Sequence, residues 1–471
     1  MKTYNTIILE MKKTILSVVL LLLAIGMQAQ QVAPFKAGDR VTFVGDSKTD
    51  GGHYHSYIWL YYMTHYPTMR LWMANCGVGG DTSEDIYNRF DDDVLTKHPT
   101  VMTLAFGMND TGYGEYNGPE PAKFAAKRLA FAHENFEKII GKLKKLNGVR
   151  IVMLGTAPYD QTSKFNDNIF KGKNDVIGKV VAMQDSAAKA NRWEFVDFWK
   201  PMTDINLTMQ KTDPKFTICG QDRIHPDNDG QLVMAYLFLK AQGKAGEKVA
   251  GIGIDAKKSI VTNSDNCTIS DLVTGKGALS FNYLAKSLPF PLDTIPRGWE
   301  YKRQQKAALK VIPQFMEEMD NEELCVTGLK KGNYCVKIDD TVIDTLSNAA
   351  LAKGINLANY NYTPQYLQAK TIMELNEMRW ETERQFRDYA WLQYDFFMKH
   401  GMLNKNDEAA AKMFRIGEAQ NGWVKARMGL YDKMIHKECR DLMNKNMENL
   451  VDKIYQINKP VSHKISITAI K

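Results

Sequence analysis

Cysteine is sparse in this chain: Cys76, Cys219, Cys267, Cys325, Cys335 and Cys439 are the only six in 471 residues. That density excludes a disulfide scaffold of the small secreted kind. No Cys-x-x-Cys or His-x-x-x-His spacing sets out a metal site, so no metal and no cofactor is expected. There is no run of five or more basic residues, and the formal net charge of +7 is spread thinly. The charge pattern therefore calls for no nucleic acid partner. No apolar run reaches the roughly 20 residues of a membrane span, which argues against stable membrane insertion. Internal repeats and low-complexity linkers are absent as well. What remains, 44% hydrophobic and 24% charged residues, is a globular composition, and the length predicts two or three domains.

The amino terminus reads as a targeting segment. Lys12-Lys13 precedes the apolar run Ile15 to Met27, and Ala29 offers a small residue at a cleavage position. This is the pattern of a secretory signal peptide over residues 1–29, with Met11 as an alternative start. Export to the periplasm or outside the cell follows as an expectation. An exported chain can oxidise its thiols. Cys325 and Cys335 flank the hairpin-like turn Leu329-Lys330-Lys331-Gly332 and are expected to face each other across it.

From residue 33 to 245, short apolar runs alternate with amphipathic stretches. Strands are predicted at Val41–Val44, Leu71–Asn75, Val101–Phe106, Arg150–Leu154 and Trp193–Asp197. Helices are predicted between them, including an aromatic-rich one at Tyr54–His65. Such alternation predicts an α/β fold with a parallel, helix-covered sheet. After about Gly246 the pattern changes. Residues 246–345 with 460–471 read as a small β-rich region, and 346–459 as a region of long helices. Thr363-Pro364 starts the first of these helices, with the threonine as cap and the proline in the first turn. Its apolar positions Leu367, Ile372, Leu375, Phe386, Tyr389 and Phe397 predict a face packed on the protein's own core. His463–Ile470 is a final strand expected to rejoin the hairpin of residues 320–340.

The chemistry gathers at strand ends, where open α/β sheets bind ligands. The first strand stops at Gly45-Asp46-Ser47, the second at Cys76-Gly77-Val78-Gly79-Gly80-Asp81, and the third at Gly107-Met108-Asn109-Asp110. A fourth polar block, Asp222-Arg223-Ile224-His225-Pro226, lies further on. Acyl transfer at a serine needs a base, a group to orient that base, and donors for the oxyanion. Asp222 and His225, three residues apart, can meet across one tight turn and leave the second imidazole nitrogen free for Ser47.

These four blocks, in this order, resemble the SGNH (GDSL-type) hydrolase superfamily over roughly residues 38–245. The resemblance implies a three-layer sandwich with a five-stranded parallel sheet. It implies Ser47 as nucleophile, His225 as base and Asp222 as its orienter. The oxyanion donors would be the backbone N–H groups of Ser47 and Gly80 and the amide of Asn109. Lys48 departs from the family's usual apolar residue; it either sits at the pocket mouth and favours anionic substrates or, the preferred reading, points to solvent. His53 and His55 read as a surface helix start, and Asp46 as structural. The remainder of the chain is similar to extensions behind exported bacterial carbohydrate esterases. The expected function is an exported serine esterase removing O-acyl groups, chiefly acetyl, from carbohydrate. Two alternatives stand beside it: a lysophospholipase or thioesterase of the same fold, and a non-catalytic glycan-binding protein. The oligomeric state and the role of the C-terminal half are not legible.

Overall fold

In the computed structural model, residues 32–298 and 302–470 are described; the expected signal peptide lies outside them. Five strands, β1 (Arg40–Gly45), β2 (Trp72–Gly77), β3 (Val101–Phe106), β4 (Arg150–Gly155) and β5 (Glu194–Asp197), form a sheet in the order β2-β1-β3-β4-β5. All of its pairings are parallel. Alternate side chains divide between two faces. Val41, Phe43, Met73, Val152 and Leu154 meet helices α1 (Tyr54–His65) and, further along the chain, α6 (Asn228–Ala241) in one core. Val44, Ala74, Met102, Leu104 and Met153 meet α2 (Ser83–Arg89), α3 (Pro121–Leu143) and α4 (Lys173–Asn191) in the other. A further helix, α5 (Trp199–Met209), follows β5. The chain thus has the three-layer α/β arrangement.

The C-terminal half begins with two small sheets. One has the order β13-β10-β6-β7 and the other β12-β11-β14-β9-β8. Their strands are β6 (Lys248–Asp255), β7 (Ile260–Asp265), β8 (Cys267–Gly275), β9 (Ala278–Ala285), β10 (Asn321–Thr327), β11 (Asn333–Ile338), β12 (Thr341–Ser347), β13 (Ile355–Asn356) and β14 (His463–Ala469). The two sheets share a core of Ile252, Leu324 and Val326 against Phe281, Val336 and Ile465. The final strand joins β11 and β9. The expected hairpin between residues 320 and 340 does not form. β10 pairs in parallel with β6, while β11 pairs with β12 and β14 in the other sheet. Cys325 and Cys335 therefore sit in different sheets, and both are free thiols. The helical interruption expected over Arg303–Met319 is a 3-10 segment, Gln305–Lys310, and one α turn, Phe315–Glu318. Pro313, which cannot donate a helical hydrogen bond, stands between them.

Four longer helices complete the chain: α7 (Pro364–Trp391), α8 (Glu408–Gln420), α9 (Met428–Met434) and α10 (Lys437–Ile457). Thr363 caps α7 by accepting from the Tyr366 N–H at 3.3 Å, with Pro364 in the first turn. The face that apolar spacing predicts is packed: Ile372 and Phe397 are fully buried in core clusters, and Leu375 and Tyr389 pack against them. Leu367, 50% exposed, is the departure, and a polar stripe that the spacing did not point to, Asn376, Glu377, Arg379, Glu383 and Arg387, is buried as well. The partners of these polar residues lie on β2, in the segment after α2, and on or just before α1, so this helix docks through hydrogen bonds and ion pairs as well as apolar contact.

Helix α1 is consequently enclosed on all sides; every one of its 12 residues is buried. The aromatic run Tyr54–Tyr62 is core, and the expectation that His53 and His55 start a surface helix is not met. His53 Nε2 lies 3.0 Å from Glu377 Oε1, and its ring stacks on Trp380 at 3.8 Å. Burial pushes the imidazole of His55 down to about 4 and that of His65 down to about 3. An unfolded chain takes up these protons near pH 6.5, while the folded chain refuses them until much lower pH. Stability is therefore lost as pH falls through 6.5, by on the order of 2 kcal/mol per histidine at pH 5. Buried Asp320 and Glu322, whose carboxyls burial pushes up, act in the opposite direction. The expected outcome is a difference: between pH 7.5 and 5, His65→Gln loses less of its thermal midpoint than the wild type does. Equal losses in the two proteins would refute the assignment.

Candidate active site

The turn after β1 is built by Asp46. Its carboxylate accepts the Lys48 N–H at 2.9 Å, capping the short helical turn Ser47–Asp50, and takes the Lys48 ammonium at 3.0 Å. Lys48 is buried, so neither of its expected positions, solvent nor pocket mouth, is the observed one. The ammonium is held inward because the capping carboxylate two residues earlier supplies its counter-charge. Ser47 occupies the first position of this turn, where a backbone N–H has no helical acceptor.

Ser47 Oγ lies 2.6 Å from His225 Nε2. His225 Nδ1 bonds to Asp222 Oδ2. Asp222 Oδ1 accepts the N–H groups of Ile224 and His225, each at 2.9 Å. Partial desolvation works against ionising Asp222, but these bonds, that of the His225 ring foremost, hold its carboxyl below the ordinary value. With Nδ1–H directed at the carboxylate, the lone pair of Nε2 faces the serine hydroxyl. The turn that brings Asp222 to His225 is anchored by a residue the sequence reading passed over. Arg223 has φ +68° and a buried guanidinium that donates to the carbonyls of Asp160 (3.0 Å), Ser163 (2.9 Å) and Asn166 (2.6 Å).

The loop after β2 is shaped by two glycines. A Cβ on Gly77 would lie 2.3 Å from the Asp50 nitrogen, so only glycine lets this strand end pack on the serine turn. At Gly80 a Cβ would meet nothing within 4 Å, and the requirement is conformational: φ is +91°. The N–H groups of Gly77, Val78, Gly79 and Asp81 are each bonded, to Asn75 Oδ1, Gly45 O, Asp50 Oδ2 and Val78 O. Among the described residues no acceptor takes the N–H of Gly80 or of Ser47.

Asn109 completes the cluster. Its Nδ2 donates one hydrogen to Asp81 O at 2.9 Å, and its Oδ1 accepts from the Tyr113 hydroxyl. The amide is thereby fixed as a donor on the side facing the cavity. Beneath it, Lys173 is fully buried and donates to Met108 O at 2.7 Å and Thr111 Oγ1 at 2.8 Å, with its Nζ 4.0 Å from the Tyr113 ring. Burial, with Lys48 nearby, pushes this amine well below its ordinary value. Asp110 bridges to the start of α2 through the Ser83 N–H at 2.9 Å. No motif pointed to Tyr113 or Lys173: the tyrosine meets Asn109 from 4 residues on in the same loop, and the lysine reaches this turn from α4, 65 residues beyond Met108.

Ser47, His225, Gly80 and Asn109 line one cavity of 540 Å³, and Asp222 stands behind His225. The opposite wall comes from the C-terminal helices: Arg384, Asp388, Trp391, Asp395, Trp423 and Arg427. Charges on this wall are matched. Arg384 pairs with Asp50 at 3.1 Å and with Asp388 at 3.0 Å; Arg427 pairs with Asp388 at 2.9 Å and lies 4.2 Å over the Trp391 ring. The arrangement can take a proton from a hydroxyl at Ser47 and present three donors to an adjacent oxyanion. Among the described residues, no group of three or more His, Cys, Asp or Glu side chains is placed to hold a metal ion. Among the described residues no helix is long and apolar enough to cross a membrane.

Comparison with known proteins follows the same division. Residues 43–233 match the GDSL-like Lipase/Acylhydrolase family, and residues 370–459 match the Diltiazem deacetylase C-terminal helical domain. An acetylxylan esterase of Geobacillus stearothermophilus is 23% identical over 225 residues, which span 44% of this chain and 95% of that protein. A solved structure of a gut microbial diltiazem-metabolizing enzyme is 50% identical, with a TM-score of 0.92, covering 94% of this chain and all of that one. With the serine, glycine and asparagine blocks at three strand ends of one α/β sheet and the histidine block on the turn after α5, the chain belongs to the SGNH (GDSL-type) hydrolase family and is a carboxylic ester hydrolase.

Proposed function

We propose that the protein is an exported serine esterase that removes acetyl groups from O-acetylated ring compounds, carbohydrate acetates foremost. The observation that carries the reading is the 2.6 Å approach of Ser47 Oγ to His225 Nε2, with Asp222 behind the ring. In this mechanism His225 accepts the Ser47 proton as the oxygen attacks the acetyl carbonyl. Asp222 keeps the imidazole in the required tautomer and offsets its charge. The tetrahedral oxyanion is met by the N–H groups of Ser47 and Gly80 and the amide of Asn109. His225 then returns the proton to the leaving alcohol, and water repeats the sequence on the acetyl-serine.

Support for acetyl comes from the relatives, which are named for acetyl removal from xylan and, through the helical domain, from diltiazem. Support for a ring-bearing alcohol comes from Trp391 and Trp423 in the cavity wall. Export rests on the pattern of residues 1–29. A second reading, in which the alcohol is a multi-ring organic molecule such as diltiazem, is favoured by a specific observation. The diltiazem-metabolizing enzyme shares 50% identity across both halves of the chain, the helical wall included.

Side-by-side hydrolysis of p-nitrophenyl acetate and octanoate by wild type and Ser47→Ala is the first test. Acetate turnover should exceed octanoate turnover and fall by at least about 10³-fold in the variant. Faster octanoate turnover would move the substrate to lipids or thioesters. A rate insensitive to the mutation would leave a glycan-binding protein. Acetylated xylo-oligosaccharides against diltiazem, compared by kcat/KM, then separate the two alcohol classes. Within the site, Asn109→Ala should cost roughly 10²- to 10³-fold in kcat. Tyr113→Phe, which only releases the amide, should cost roughly 3- to 10-fold with little change in KM. Unaltered kcat in both would remove Asn109 from the mechanism.

A further inference from the structure

The glycine loop that carries Gly80 hangs from β2, an edge strand of the sheet. Its free side meets α7. Glu383 Oε1 accepts the Asn75 N–H at 2.9 Å, completing a hydrogen bond that a sixth strand would otherwise supply. One turn later, Arg387 Nε donates to the Gly77 carbonyl at 2.8 Å. The other two nitrogens of Arg387 grip both oxygens of Asp93, at 3.0 and 2.7 Å. Asp93 also takes Arg89 NH1 at 2.7 Å, and Arg89 reaches back to Asp81 Oδ2 at 2.6 Å and to Gly45 O at 3.2 Å. Arg387, Asp93 and Arg89 are all buried, so their bonds are not shared with bulk water. The run therefore starts on a C-terminal helix, touches the carbonyl three residues before Gly80, and closes on the side chain of the residue after it.

We propose that Arg387 is a positioning residue for the oxyanion donor at Gly80, which makes α7 a working part of the ester-hydrolysing site. This rests on the assignment of Ser47 and Gly80 to acyl transfer. The physical ground is the geometry of the guanidinium. Its planar fork fixes Asp93 bidentately while its Nε fixes a backbone carbonyl, a pairing that lysine, a point charge on a flexible stem, cannot reproduce. Gly80 has φ +91° and no side chain to brace it, so the direction of its N–H depends on how the flanking residues are held. A donor displaced by a fraction of an ångström still lets substrate bind. What it loses is transition-state stabilisation.

The experiment compares kcat, KM and thermal midpoint for p-nitrophenyl acetate in wild type, Arg387→Lys, Asp93→Asn and Asn376→Ala. Asn376 bonds Ser56 on α1 and accepts Arg379 Nε at 3.0 Å but makes no hydrogen bond to Gly77, Asp93 or Gly80, so its variant loosens the same helix while leaving the Arg387 fork in place. Arg387→Lys should lower kcat by about 10- to 100-fold with KM within about threefold. Asn376→Ala should keep kcat within about twofold while losing thermal midpoint. If Arg387→Lys fails to fold, Asp93→Asn, which leaves the bond to Gly77 but breaks the fork, should lower kcat several-fold at constant KM. Wild-type kcat in either folded variant, or a kcat loss in Asn376→Ala matching that of Arg387→Lys, overturns the proposal. Ser47→Ala reports on the underlying assignment separately: full activity there removes the serine mechanism, whereas an inactive Ser47→Ala beside a normal Arg387→Lys removes the clamp alone.

Discussion

A buried carboxylate between two guanidiniums joins the halves of this molecule. Asp93 comes from the segment after α2, Arg89 from α2 itself, and Arg387 from a helix nearly 300 residues later; none of them reaches solvent appreciably. Burial alone would favour a protonated Asp93, yet the two guanidiniums hold its carboxyl well below the ordinary range. Removing one partner from such a set leaves an uncompensated buried charge, at a cost of about 3–5 kcal/mol. The C-terminal helix is therefore tied to the sheet by a requirement for charge balance, and the cavity exists because that tie sets α7 beside the serine turn.

The site divides its labour accordingly. The sheet presents reactive atoms at the ends of three parallel strands and on the turn after α5, the usual consequence of parallel topology. The helices present a wall whose charges are already spent on one another, Asp50 with Arg384 and Arg384 with Asp388. A wall of matched charges and indole rings leaves shape and stacking to select the alcohol. Support beneath the reacting atoms is also polar: Lys173 under the Asn109 turn, Arg223 under the Asp222–His225 turn. Each brings several backbone carbonyls to one cation, which rigidifies a loop more firmly than apolar contact would.

Sequence legibility followed the range of the forces involved. The strand ends, the helix start at Thr363, and the order of the serine, glycine, asparagine and histidine blocks were readable because each is encoded within a few neighbouring residues. The fate of Lys48, His53 and His55 was not. A lysine beside a nucleophile or a histidine at a helix start reads as exposed by default, and here Lys48 is buried against the Asp46 carboxylate, while His53 is buried against Glu377 and the Trp380 ring of α7. The apolar face of α7 was legible, but its buried polar stripe was not. Apolar spacing locates a helix face that packs on hydrocarbon, but Asn376, Glu383 and Arg387 face an edge strand and loop whose backbone groups need polar partners.

The sequence by itself determined the α/β alternation, the three blocks at strand ends and the fourth further on, and with them the chemistry expected of Ser47, His225 and Asp222. Local spacing suffices for that, since a strand end, a tight turn and a three-residue step fix residues relative to their own backbone. Only the tertiary structure decided that β10 and β11 part into different sheets, leaving Cys325 and Cys335 as free thiols, and that the C-terminal helices form the far wall of the cavity. Those outcomes depend on which backbone edges and buried charges find partners across hundreds of residues, and such pairings leave no periodic trace in the chain.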